Sequence, residues 1–156
     1  MKDLQNIIAS HPLFQDMKPQ HQALLGRGAK EVTYKAGEVI FRQGEPANLF
    51  HLIVSGKVML EAHEPADGTV PVQTLGPGEL LGWSWLFPPF AWNFQARAVE
   101  PTEVLALSGG HLLSSAERDH EFGYELMKRV AQVVIKRLQS ARKQLLDLQI
   151  QSALEG

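Results

Sequence analysis

The chain has 156 residues, a formal net charge of −2, 44% hydrophobic and 21% charged residues, and no cysteine. That length fits one domain, which buries about two-thirds of its unfolded surface. The charge balance provides no basic field for nucleic acid. The missing thiols exclude disulfides, thiolate nucleophiles and thiolate metal sites.

The N-terminal stretch MKDLQNIIASHPLF has an interrupted apolar run and lacks the parts of a signal peptide. No segment carries an apolar run long enough for a membrane helix, so a cytoplasmic protein without membrane contact is expected. Residues 3–10 read as a short helix with Leu4, Ile7 and Ile8 on one face. A second helix is expected over residues 19–25, with Pro19 in its first turn. From residue 29 to residue 107 short β-rich runs alternate with glycine turns: EVTY, EVIFR, LFHLIV, VMLEAHE, TVPVQTL, QARAV and EVLAL. Strands this short and this often interrupted point to a small roll, barrel or sandwich. Pro71 places its strand on an edge. An aromatic, proline-containing segment, LLGWSWLFPPFAWNFQ, interrupts the β pattern before the last two strands.

The remainder reads as one long helix with Asp119 as its N-cap and Glu121 in the first turn. Met127, Ala131, Val134, Leu138, Ala141, Leu145 and Leu148 are spaced alternately four and three apart. That is an a/d heptad, the pattern of two helices pairing along a seam. A second stripe, Phe122, Leu126, Val130 and Val133, lies beside it and is expected to pack on the β domain. A single helix lying on its own core would leave Leu138 to Leu148 without cover, which favours a homodimer. Lys128, Arg129, Lys136, Arg137, Arg142 and Lys143 read as a solvated basic face, so DNA is not an expected partner.

The order of these pieces resembles the cyclic-nucleotide-binding domain of the catabolite activator (Crp-Fnr) family, the kinase regulatory subunits and the nucleotide-gated channels. The resemblance rests on Tyr34-Lys35-Ala36-Gly37-Glu38-Val39-Ile40, Gln43-Gly44-Glu45-Pro46-Ala47, Phe50-His51-Leu52-Ile53, Ser55-Gly56-Lys57-Val58 and the segment from Gly76 to Gly82. Each glycine is read as a tight turn that needs positive φ. The resemblance implies a mainly β fold with added helices: a double-stranded, jelly-roll-like β-roll with short N-terminal helices and a long C-terminal dimerisation helix. The roll is assigned to residues 1–118 and the dimerisation helix to residues 119–156 of the same domain. In the transcription factors a helix-turn-helix follows this helix, and none is expected here.

In the family, a glycine–glutamate pair opens a short helix whose amides meet the phosphate, the glutamate binds the ribose, and a later arginine pairs with the phosphate. By that resemblance Leu80-Leu81-Gly82-Trp83-Ser84-Trp85 opens the cassette, with Trp83 at the glutamate position. Trp92 stands at the arginine position and Asn93 follows it. The match through Arg137-Leu138-Gln139 brings Ala141 and Arg142, beside Ser140, to the base. The expected ligand-binding cassette is Gly82, Trp83, Ser84, Trp85, Trp92, Asn93 and Arg97, with Arg97 read as more structural than ligating.

No cofactor is assigned. A cyclic nucleotide or another small ligand is the candidate, and stacking on aromatics with Ser84 and Asn93 orienting it is the expected mode. No residue pattern supports a metal site or catalysis: the six histidines are scattered, and the cluster of His63, Glu64 and Asp67 reads as a polar turn. The expectation is a non-enzymatic ligand-sensor domain that signals through a dimer helix to an unidentified effector protein. The alternative is a ligand-free dimeric scaffold with an aromatic-filled pocket, and a DNA-associated regulator ranks behind both.

Overall fold

In the computed structural model, which describes residues 4–66 and 68–155, the elements run in the order α1 (Leu4–Ser10), α2 (Pro19–Gly26), β1 (Lys30–Tyr34), β2 (Val39–Phe41), β3 (Leu49–Ser55), β4 (Val58–Glu64), β5 (Gly68–Leu75), β6 (Gln95–Ala98), β7 (Thr102–Ser108), α3 (Gly109–Arg118) and α4 (His120–Glu155). Asp3, expected in the first helix, and Asp67, expected in the polar turn, lie outside the described residues.

The strands form two antiparallel sheets, ordered β1-β7-β3 and β2-β6-β4-β5. Phe50, Leu52, Leu105 and Leu107 from the first sheet and Phe41, Val58, Leu60 and Ala96 from the second join one buried cluster. This is the expected roll. Pro71 sits on β5, the edge strand of its sheet, where the register with β4 shifts between Leu60 and Glu61. A bulge at an edge is where a residue without an N–H costs least.

Turns close the strand pairs, and Gly37, Gly44, Gly56 and Gly78 take the positive φ read for them. Gly76 and Gly82 do not. At Gly82 the missing Cβ matters for another reason: an added carbon would stand 3.1 Å from the Trp92 ring and 3.2 Å from the Phe94 ring.

The helices cover the open end of the roll. Ile8, Leu25 and Phe14 reach its core from the N-terminal segment, and Leu112 reaches it from α3. Ser108 caps α3 by accepting the His111 N–H at 3.2 Å, so Gly109 and Gly110 belong to the first helical turn. Asp119 caps α4 as read, its Oδ1 accepting the Phe122 N–H at 3.1 Å. Phe122, Leu126 and Val130 on α4 are buried against the domain, with Val133 packed beside them. Further along, the helix projects: Leu138, Leu145 and Leu148 are 66%, 57% and 64% exposed.

Gly56 offers a direct test of the turn scheme. Its φ is 98°, and an added Cβ would stand 2.6 Å from the Pro101 carbonyl oxygen, with Thr102 also in the way. Gly56→Ala is expected to cost about 2 kcal/mol or more in urea denaturation. A loss near zero would mean that the turn relaxes freely.

Candidate functional site

The cassette lies between β5 and β6. Its first part runs along β3: the Ile53 N–H donates to the Glu79 carbonyl at 2.9 Å and the Leu81 N–H to the His51 carbonyl at 3.1 Å. After Trp83 the chain makes a single turn, closed by the Leu86 N–H on the Trp83 carbonyl at 3.0 Å. The short helix implied by the family resemblance is therefore not formed. Trp85 turns inward at 1% exposure, and Trp83 stays half-buried.

A cis Pro88-Pro89 bond and Phe90 at φ 55° carry the chain round the tip. A phenylalanine in the left-handed region is strained. Antiparallel pairing holds it, with the Ala47 N–H on the Phe90 carbonyl at 2.6 Å, the Gly44 N–H on the Trp92 carbonyl at 2.8 Å and the Trp92 N–H on the Glu45 carbonyl at 3.0 Å.

That pairing fixes where Trp92 points. Its ring lies parallel to Phe41, centroids 3.8 Å apart and planes 7° apart, with Phe94 at 6.4 Å and His51 at 5.9 Å. At 3% exposure Trp92 is part of the roll's core. Trp85 belongs to a second group, 4.8 Å from Phe50, which is 6.2 Å from Phe14. Its indole N–H donates to the Gly82 carbonyl at 3.2 Å. Asn93 faces solvent and Ser84 is half-buried.

Arg97, on β6, is held across the sheet by Glu61 of β4 through two bonds of 3.1 and 3.0 Å. The Glu61 carboxylate, buried and also bonded by Gln95, is kept below the usual carboxylate range chiefly by the Arg97 hydrogen bond. The structure thus brings Gly82, Trp92 and Phe94 into direct packing and places Arg97 in an ion pair.

The α4 face needs a correction. Arg129 and Arg137 are not part of a solvated basic surface. Arg129 is 6% exposed; it donates to the Leu13 carbonyl at 2.9 Å and pairs with Asp16 at 2.7 Å and with Glu125. Arg137 lies over the Trp83 ring, 5.3 Å from its centroid, and donates to the Leu81 carbonyl at 3.3 Å. Its Nη2 is buried without a hydrogen-bond partner, and burial lowers its pKa to about 10. The sequence reading placed this residue on the solvated face, yet a contrary signal existed: Arg137 follows Val133 by four positions, on the stripe that packs on the domain.

The sequence profile of the cyclic nucleotide-binding domain matches residues 31–119, more than half of the chain. The chain belongs to the cyclic nucleotide-binding domain family. It is 26% identical over 147 residues to a CRP-like cAMP-activated global transcriptional regulator from Mycobacterium tuberculosis, covering 93% of this chain and 63% of that protein. It is 35% identical over 96 residues to the Cyclic AMP receptor protein of Thermus thermophilus, covering 62% of this chain and 44% of that one. The chain thus spans less than two-thirds of these relatives. Among solved structures, a cyclic nucleotide-binding protein from Geobacter metallireducens superposes with a TM-score of 0.76 at 25% identity, covering 88% of this chain and 99% of the other.

Within this cyclic nucleotide-binding domain the interior is closed by the chain's own rings, and one of them is a histidine. His51 is buried beside the stacked pair of Phe41 and Trp92 with Nδ1 unpartnered, and burial lowers its pKa to about 4. Burial lowers His11 as well. Below the ordinary value of 6.5 the unfolded chain takes up protons that the folded one does not. Stability is therefore full above pH 6.5 and falls as pH drops toward 4, by roughly 3 kcal/mol for His51. Asp16, Glu61 and Glu125, all held low by arginine hydrogen bonds, add losses of the same sign at lower pH. Urea denaturation across this range should show the decline, and His51→Leu should flatten it; an unchanged slope in that variant would assign the effect elsewhere.

Proposed function

We propose that this chain is a non-enzymatic regulatory domain in which indoles have replaced the polar clasp for a cyclic phosphate, and which passes its state through α4 to a second copy and on to a partner protein. The observation that carries this reading is Trp92. It stands where the family resemblance expects the phosphate arginine, and it is stacked on Phe41 in the core. Trp83, at the ribose glutamate position, stacks on Arg137 rather than offering a carboxylate. A hydrogen bond with a charged partner contributes about 1.5–3 kcal/mol, so losing the arginine alone weakens binding about 10- to 100-fold. The relatives named above are regulators, which supports a signalling role over catalysis.

The output face is the exposed seam of Met127, Ala131, Val134, Leu138, Ala141, Leu145 and Leu148. Of these Val134 is half-covered by the domain, and Leu138, Leu145 and Leu148 are open. Parallel pairing with a second α4 would cover them. For the ligand, the half-buried Trp83 and Ser84 and the exposed Asn93 are accessible parts of the cassette; Trp85 and Trp92 serve as packing. Ligand binding alters the dimer only to the extent that it favours one helix arrangement. The packed interior also favours a second reading, a ligand-free dimeric scaffold.

Calorimetric titration of the intact chain with cyclic AMP and cyclic GMP is expected to show no micromolar binding; a micromolar constant for either would overturn the lost-clasp reading. Tryptophan fluorescence against a metabolite set separates sensor from scaffold, because Trp83 responds to any occupant beside it and no response to any compound favours the scaffold. For the seam, Leu138→Glu should give a monomer by light scattering where the native chain is a dimer. A dimer that persists in the variant would reject the heptad pairing.

A further inference from the structure

The joint between α3 and α4 is one residue long. α3 ends at Arg118, α4 begins at His120, and Asp119 stands between them. Its Oδ1 caps α4 through the Phe122 N–H, and its own N–H donates to the Ser115 carbonyl at 2.8 Å. Against this joint lies His21 of α2. The ring is 1% exposed, neither Nδ1 nor Nε2 has a hydrogen-bond partner, and Nε2 is 3.7 Å from Oδ2 of Asp119, the carboxylate oxygen that the cap leaves over. We propose that His21 is a proton-operated clasp: when it is protonated, its Nε2–H bonds Asp119 and draws the first turn of α4 onto α2. The clasp does not depend on what the roll binds.

At 3.7 Å the two groups are too far apart for a hydrogen bond. A neutral imidazole carries one donor and one acceptor, and here both are buried and unmatched, which is costly. Protonation turns both nitrogens into donors and converts the contact with Asp119 into a charge-assisted bond, about twice as strong as a neutral one. Closing to the usual length of such a bond takes about 1 Å of movement. The ring also lies 5.7 Å from that of Phe122, in the first turn of α4, so a shift of His21 is felt by the helix through packing as well as charge.

The surrounding charges leave Asp119 available to His21. Lys18, one turn earlier on α2, pairs with Glu121 of α4. Glu125 is held by Arg129 and Lys128. On α3, Arg118 bonds the Ser114 side chain and carbonyl, and His111 Nε2 is 3.1 Å from the Leu24 carbonyl. Lys18 and the positive end of the α4 dipole oppose a charge on His21, and the carboxylate of Asp119 favours it. Two ties thus join α2 to the start of α4. The Lys18–Glu121 pair keeps its charges at every physiological pH, whereas an imidazole ordinarily changes charge between about pH 5 and about pH 8. Mild acidification therefore acts on the His21 tie, at the point where the long helix leaves the domain.

The test follows the intact chain by NMR from about pH 8 to about pH 5.5, reading the His21 ring nitrogens and the Phe122 amide. The ring is expected to pass from one N–H to two, and the Phe122 amide to shift along the same curve. Asp119→Asn keeps a capping oxygen and removes the charge, so it should lower the His21 midpoint by about 1 pH unit. His21→Gln should abolish the Phe122 titration, and His120→Gln, at the exposed neighbouring position, should preserve it. A ring that keeps one protonation state throughout, or an unchanged midpoint in Asp119→Asn, would overturn the clasp. So would a Phe122 titration that survives in His21→Gln. Asp119→Asn decides the matter by itself if His21→Gln does not fold, because it leaves the buried ring in place.

Discussion

The parallel stack of Trp92 on Phe41 is the contact on which the rest of the molecule is arranged. At 3.8 Å between centroids, with Trp92 3% exposed, it lies in the buried core of the roll. It exists because the chain from Phe90 to Trp92 pairs with the turn from Gly44 to Ala47, which fixes the indole facing inward. Its neighbours follow from it. Gly82 must lack a Cβ to clear the Trp92 and Phe94 rings, and His51 must remain neutral among them. A core packed ring against ring has the density of an organic crystal.

With the interior closed, the polar chemistry of the domain moves to its edges. Arg97, the arginine that follows the cassette in sequence, is locked onto buried Glu61 within the sheet, where removing either partner would strand a charge. Arg129 ties α4 to the segment between α1 and α2. Arg137 ties α4 to the cassette through an indole face and a carbonyl. A cation over tryptophan contributes about 0.5–2 kcal/mol depending on burial. Such a contact is strong enough to bias the helix and weak enough to be rearranged.

The helix α4 thus carries three kinds of surface. Phe122, Leu126 and Val130 anchor it to the roll. The heptad leucines beyond residue 137 extend past the domain. Between these, on the side away from the heptad, a basic strip borders a cleft that the roll completes. α4 is one continuous helix over this length, from His120 to Glu155.

The strand-like runs, the turns at Gly37, Gly44, Gly56 and Gly78, the edge position of Pro71, the Asp119 cap and the two apolar stripes of the last helix were all legible in the sequence. Each depends on local geometry: positive φ, a missing N–H, a capping oxygen, a period near 3.6 or 3.5. The family was legible for the same reason, since its glycine turns follow one another in a fixed order. What only the tertiary structure decided was the fate of particular side chains. Whether three tryptophans line a cavity or fill it, whether Arg97 meets a ligand or Glu61, and whether Arg137 faces water or an indole depend on which distant segments come within a few ångströms. Side-chain type and spacing carry no information about that, because packing is settled between residues such as Phe41 and Trp92 that lie far apart in the chain.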